Sequence, residues 1–569
     1  MNESTDNAVK QLWRSTGPGA ALIVLLTVVA YAPALQGAFL WDDNTFLTEN
    51  PLNRASDGLR RIWFTTEAAD YYPLTNSLGW LQWRLWGADT RGYHVVNVLL
   101  HAVNAVMVWM VLRRLQIPGA WWAGLIFALH PVNVATAAWI SEQKNTLSML
   151  FGLVSVFLYV RFREENRWGW YALSLAAFLL ALLSKSAIVM LPVVLLGCAW
   201  WSRGRVAGKD VMGSAFFFVL SAGFGLITIW FQHRYRLALG LAAAPVGWAS
   251  HVAVAGSVPW FYLGKALFPF RLTVIYPNWQ INDSHWTSYL LGAMTVGLLS
   301  LFCWKRNTWG RPLLFGFGCF VTMLVPVLGF FHQSFYRYAS VADHWQYYSI
   351  VGPIALVVAC ALQLGRRLDE RGRSWGRMAV VGLLLLLGAA TWTRAAVYAD
   401  NEILWRDNVS KYPAAYAARD NLGFSLARMG KLPEAVGQFE EALRQKPDFA
   451  EAHYNLGYAL AQLGRMPEAI GHLEQAAQLK PDDAATHNNL ANALMLAGRL
   501  PEAVQHYQQA LRLQPEAAEV HYDLGLALEK MGQTADAVAQ FELALKFRPD
   551  LTDAQQELAR LRAGQPSSR

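Results

Sequence analysis

Charged side chains are scarce in this chain. Asp, Glu, Lys and Arg supply 15% of its 569 residues, against roughly a quarter in soluble domains. An ordinary soluble fold is therefore excluded for most of its length. Cysteine is scarcer still. Cys198, Cys303, Cys319 and Cys360 all lie inside apolar runs with no CxxC spacing, so no disulfide or zinc framework is expected and the four read as small buried hydrophobes. Acid is short relative to base, with a formal net charge of +8. In a soluble protein that excess would suggest nucleic acid. Here Arg and Lys sit in short clusters between apolar runs, which is a topology signal, and no nucleic-acid partner is expected.

What is abundant is apolar surface, at 54% hydrophobic residues, together with 25 Trp suited to membrane–water interfaces. A crossing needs about 20 apolar residues. Eleven segments qualify: 18–36, 93–112, 117–138, 144–162, 168–184, 186–202, 211–231, 287–304, 311–331, 347–364 and 378–398. A twelfth stretch, 246–268, carries His251, Pro259, Gly264 and Lys265 and is expected to be interfacial or re-entrant. Basic clusters fall at Arg113/Arg114, Arg161/Arg163/Arg167, Arg203/Arg205/Lys209, Lys305/Arg306/Arg311 and 366–377. With all of them cytoplasmic, eleven crossings alternate consistently. The tail 1–17 is then inside, and everything after residue 400 is outside, in a periplasm or lumen. The first apolar run is not expected to be a cleaved signal.

The expected organisation is all-α. A transmembrane domain covers 18–400 with an outer loop 37–92. A linker or helix follows at 401–415, then four repeats over 416–551, then a capping helix and tail at 552–569. The repeats are legible as a 34-residue period. Pro413, Pro447, Pro481, Pro515 and Pro549 recur at that spacing, as do Gly430, Gly464, Gly498 and Gly532, and Ala435, Ala469, Ala503 and Ala537. Each unit reads as two helices joined at Gly and stopped by Pro, which is the tetratricopeptide (TPR) pattern. Such solenoids bind partners. Asn421, Asn455, Asn489 and Asp523 recur at one position and are candidates for an amide ladder along an extended acceptor peptide; the alternative is that they only serve helix pairing.

Two adjacent carboxylates, Asp42 and Asp43, follow the first apolar run. Desolvation and mutual repulsion would raise a carboxyl pKa there, which suits a general base acting on an acceptor hydroxyl. The other acid could orient the acceptor or hold a cation. The alternative is a solvated capping pair. A series of further motifs runs along the chain: Trp41-Asp42-Asp43, Asn50-Pro51, Tyr71-Tyr72-Pro73-Leu74-Thr75, Arg84-Leu85-Trp86-Gly87, 92–97, His130-Pro131-Val132, Leu183-Ser184-Lys185 and Tyr276-Pro277. In this order, with the TPR tail, the series resembles the GT-C membrane glycosyltransferases, including the transmembrane O-mannosyltransferases that carry TPR repeats.

The resemblance implies an inverting transferase. It would move a sugar, mannose or another hexose, from a polyprenyl- or dolichyl-phosphate carrier to a protein hydroxyl outside the cytoplasm. It implies that the acidic pair carries the base, with Asp42 favoured. The lipid-linked sugar enters as substrate, and a divalent cation remains open. The leaving phosphate needs cations, for which Lys185, Lys144, Arg337 and Lys265 are candidates. Relatives read Arg and Pro where this chain has His344 and Ser349, and Arg where it has Tyr72. Either His344 or Arg337 would then hold the phosphate. His94, His101 and His130 share no HxxxH spacing, so no metal site is expected. The aromatic residues of 37–92 are read as interfacial anchors. Two rival readings are an enzyme acting on glycan or lipid, and a non-catalytic TPR scaffold. A bacterial inner membrane is preferred over the endoplasmic reticulum.

Overall fold

The computed structural model describes residues 16–68, 70–238, 247–330 and 334–564; the expected tail, 1–17, falls almost wholly outside them. Among the described residues all regular structure is helical. The chain divides into two compact units, Met1–Lys411 and Tyr412–Arg569.

In the first unit seven helices are long and apolar enough to cross a membrane: Arg91–Arg114, Ile140–Glu165, Ser186–Arg203, Gly208–Arg234, Trp286–Trp304, Gly310–Val327 and Glu370–Ala396. Four shorter apolar helices lie at Thr16–Ala30, Ala120–Leu129, Trp168–Ser184 and Val351–Gly365. Each of the eleven expected segments holds one of these helices. A helix satisfies its backbone hydrogen bonds internally, the condition for residing in lipid. Outward-facing side chains such as Leu385 and Leu386 are 70% exposed, an arrangement that water disfavours. The chain is an integral membrane protein.

The helix ends sort the charges. Arg163 and Arg203 both pair with the fully buried Asp210, and Arg114 pairs with Glu164. Arg311 donates to the Trp201 carbonyl. Four of the expected cytoplasmic clusters thus gather at one face, called inner below. Lys144 lies 19 residues before Arg163 on the same helix, about 28 Å at 1.5 Å per residue, so it stands at the opposite, outer face.

The uncertain stretch 246–268 contains a helix, Trp248–Leu267. It is not among the membrane-length apolar helices of the described residues. Hydrogen bonds hold it near both ends. Near its start Ser250 donates to Asp283. Near its end the Tyr262 hydroxyl donates to the Ala342 carbonyl at 3.0 Å and Lys265 to the Phe270 carbonyl at 2.7 Å. Its middle meets the start of Leu290–Trp304, where a Cβ on Gly256 would come within 2.8 Å of Gly292. Small residues permit such close approach.

Helix Asn401–Lys411, within the expected linker or helix 401–415, belongs to the first unit. Asn408 brackets Ile275, accepting from its N–H and donating to its carbonyl, both at 2.9 Å. Trp405 is 1% exposed.

The second unit is four helix pairs, from Tyr416–Arg428 and Leu432–Gln445 to Ala518–Lys530 and Thr534–Phe547, closed by Thr552–Arg562. Gly430, Gly464, Gly498 and Gly532 each adopt φ of 76–77°, a left-handed turn that glycine alone enters without strain. Ala435, Ala469, Ala503 and Ala537 are fully buried, so the paired helices pack closely.

Candidate active site

The outer site is built on a strained turn. Trp41 has φ of 34°, a conformation that costs a bulky residue roughly 1–3 kcal/mol unless its surroundings impose it. Here Trp139 stacks on its ring at 5.8 Å, Trp405 meets it edge-on at 5.2 Å and Tyr338 at 5.6 Å. Its N–H donates to Asn401 at 3.0 Å. The turn sends the two adjacent acids to different environments. Asp43 is fully buried and accepts from the Leu40 N–H at 2.8 Å, the Ser141 N–H at 2.7 Å and the Ser141 hydroxyl. Burial pushes it up to about 7 against these three bonds, which favour its anion. The Asp42 carboxylate accepts no hydrogen bond among the described residues. Burial raises it to about 6; Lys144 and Arg337 pull it down, while Glu142 and Asp70 push it up.

Beside this turn, Glu142 gathers two lysines and an imidazole from three segments. Its carboxylate lies 3.2 Å from Lys144, 3.6 Å from Lys185 and 3.9 Å from His344 Nε2. Asn145 donates to it and accepts from Tyr348 at 3.1 Å. Two cavities flank the cluster. One of about 440 Å³ opens beside Lys185 and is walled by Asn145, Tyr348 and apolar Val189 and Phe330. The other, about 340 Å³, is bordered by Lys144, Ser141, Asp70 and Glu49. Tyr72 walls both.

Of the expected phosphate-binding residues, Lys144, Lys185 and His344 therefore meet at one carboxylate. Arg337 acts on Asp42 through its charge, and its guanidinium also contacts the Tyr338 hydroxyl and ring. Lys265 does not join them: it lies against the Phe261 and Tyr276 rings and the Phe270 carbonyl. Asp343 accepts from Thr273 N–H at 2.9 Å and from the Tyr276 hydroxyl at 2.7 Å, a structural position. Asp70 has no signal in the sequence; Glu142 is visible there only as a neighbour with which Lys144 could pair, in Ser141–Asn145.

His94, His101 and His130 occupy separate hydrogen-bonded niches, at the carbonyls of Gly37, Ala128 and Ala266. Among the described residues no group of three His, Cys, Asp or Glu is arranged to hold a metal ion. In the solenoid, Asn455 donates to Asp420 at 3.0 Å and Asn489 to the Tyr454 hydroxyl at 2.8 Å. These two amides bond to the preceding repeat. Asn421 makes no side-chain hydrogen bond among the described residues, and burial raises Asp523 to about 6. The ladder is thus partly engaged in joining repeats.

Residues 71–230 match the family described as dolichyl-phosphate-mannose-protein mannosyltransferase, and 421–484, 464–505, 491–532 and 518–551 match tetratricopeptide repeat families. The chain joins a mannosyltransferase-like membrane part to TPR repeats. This TPR-bearing mannosyltransferase-like chain is 30% identical over 177 residues to the Caenorhabditis elegans protein O-mannosyl-transferase F38B6.6, covering 28% of this chain and 26% of that protein. It is 30% identical over 193 residues to human protein O-mannosyl-transferase TMTC4, with the same coverages. With Drosophila melanogaster Tmtc1 it shares 28% over 234 residues, 38% of this chain and 26% of the relative. The match spans about a quarter of the length of these relatives. They are animal proteins, which lends no support to the expected preference for a bacterial inner membrane. Among solved structures, a MamA crystal structure is 21% identical with a TM-score of 0.26, covering 28% of this chain and 94% of that one.

Proposed function

We propose that the mannosyltransferase-like part moves a hexose, mannose first, from a polyprenyl- or dolichyl-phosphate carrier to hydroxyl groups of an extracytoplasmic protein, with inversion. The observation that carries this reading is the division of labour in the acidic pair. Asp43 is fully buried and saturated with hydrogen bonds, while Asp42 is half-buried, accepts no hydrogen bond among the described residues and lies within the field of Lys144 and Arg337. Asp42 takes the proton as the acceptor oxygen bonds to the anomeric carbon. The bond from that carbon to the phosphate oxygen breaks, and the lipid phosphate leaves with its electron pair. Lys185 and Lys144 stabilise the departing charge, with Glu142 fixing both ammonium groups. The cavity beside Lys185, lined by Asn145 and Tyr348 with apolar Val189 and Phe330, suits a lipid phosphate; the cavity beside Lys144, bordered by Glu49, Asp70 and Ser141, suits an acceptor. The TPR unit holds the acceptor protein.

A base is active only as its anion. With Asp42 raised to about 6, kcat/KM is expected to be level above pH 7 and to fall tenfold per pH unit well below 6. The assay measures transfer from polyprenyl-phosphate mannose to a serine- and threonine-rich peptide by the intact protein. A rate independent of pH between 4.5 and 7 excludes Asp42 as base, and absence of transfer from any polyprenyl-phosphate hexose overturns the enzymatic reading.

Eleven crossings set the TPR unit on the side of Asp42. An impermeant thiol reagent on intact cells is expected to label Glu516→Cys in the solenoid and to spare Arg367→Cys. Equal labelling of both breaks the arrangement.

A further inference from the structure

The inner face carries a second built site, remote from the acidic pair. Arg114, Arg163, Arg203 and Arg311 converge on a cavity of about 550 Å³. They come from the ends of four different helices. The opposing acids are fewer. Glu164 and Asp210 are held by Arg114 and by Arg163 with Arg203. Glu165, 3.9 Å from Arg114, is shared with Arg161 and the Trp170 indole. Among the described residues Arg311 contacts the Trp201 carbonyl and the Trp200 and Trp201 rings and pairs with no acid. The Nε atoms of Arg114, Arg163 and Arg311 are buried and find no hydrogen-bond partner among the described residues. Unmatched buried donors of this kind are costly, and an anion would satisfy them.

This basic cavity adjoins an apolar one. Leu115, Cys198 and Trp201 wall both. The apolar cavity, about 390 Å³, is lined by Met149, Val156, Phe315 and Leu356, with Arg366 among its lining residues. A charged cavity beside a hydrocarbon-lined one matches an amphiphile. Neither a free anion nor a neutral lipid uses both halves. Basic pockets between membrane helices on the cytoplasmic side are a recurring mode of anionic headgroup binding. We propose that this arrangement binds one anionic phospholipid of the inner leaflet, its phosphate held by the arginines and an acyl chain lying in the apolar cavity.

The test is native mass spectrometry of the full chain in neutral detergent, with phosphatidylglycerol and phosphatidylcholine of matched dioleoyl chains at equal concentration. One phosphatidylglycerol per protein is expected, at least tenfold preferred. Arg114→Gln with Arg311→Gln is expected to erase the preference. Ala359→Phe, which fills the apolar cavity and leaves every charge in place, is expected to weaken dioleoyl phosphatidylglycerol at least tenfold. Neither inorganic phosphate nor glycerol 3-phosphate at lipid concentration should displace it. Equal retention of the two lipids overturns the proposal, as does unchanged preference in the double arginine variant. Displacement by inorganic phosphate overturns the lipid as occupant. A double variant that melts earlier with its lipid preference intact also overturns it, by assigning the arginines to structure alone.

Discussion

Replacing Asp42 by asparagine lowers the sugar-transfer rate by about 10²–10⁴-fold, the usual contribution of a positioned base, and leaves thermal unfolding nearly unchanged. The second half of that expectation follows from the structure. The Asp42 carboxylate accepts no hydrogen bond among the described residues, so an isosteric amide orphans no donor. Asp43→Asn behaves differently, because its new NH₂ group faces one of the donors that the carboxylate satisfies, Leu40 N–H on one oxygen and Ser141 on the other. That variant unfolds earlier and loses activity through the displaced turn. Paired measurements of transfer and melting on both variants separate the roles. Full transfer by Asp42→Asn moves the base elsewhere.

Glu142→Ala carries the largest expected loss of stability. The Glu142 side chain is 3% exposed, and those of Lys144 and Lys185 are 14% and 13% exposed. Without the carboxylate two ammonium groups face each other away from water. Removing one partner from a buried pair costs about 3–5 kcal/mol, so the melting temperature of the detergent-solubilised protein should fall by many degrees. The companion variant Glu142→Leu with Lys144→Met and Lys185→Met removes charge of both signs and should recover most of the loss, although transfer stays abolished because the phosphate has lost both cations. An unchanged melt for Glu142→Ala would mean that solvent reaches the lysines and that Glu142 fixes neither.

The parts of this protein that were legible in its sequence are those written locally. Apolar runs declare their helices because lipid solvation acts on each segment separately, and all eleven segments hold an apolar helix. The 34-residue spacing of Gly430, Gly464, Gly498 and Gly532 declares the solenoid because each repeat meets only its neighbours. The site is written non-locally. What distinguishes Asp42 from Asp43 is Ser141, 98 residues away. Lys144 beside Glu142 is visible in the sequence, but Lys185 and His344 reach the same carboxylate only through the packing of other helices. Lys265 illustrates the converse: charge and side suggested a role, yet the fold turns it toward Tyr276. Helix Asn401–Lys411 looked like a polar connection because its few buried residues, Trp405 and Asn408 among them, find their partners only across the folded unit.

The clamp on Trp41 has a consequence for how the protein is made. The turn bearing the acidic pair leaves the ribosome early, yet Asn401, which accepts its N–H, lies 360 residues further on, with Trp405 just beyond. At about 5–20 residues per second of synthesis the turn waits on the order of 20–70 s for the parts that hold it. Until then Trp41 can meet Trp139 and Tyr338 but lacks the acceptor of its N–H and the ring of Trp405. A chain interrupted before residue 401 therefore lacks part of what holds this turn. The turn gains its full set of supports only when the last residues of the first unit close over the first.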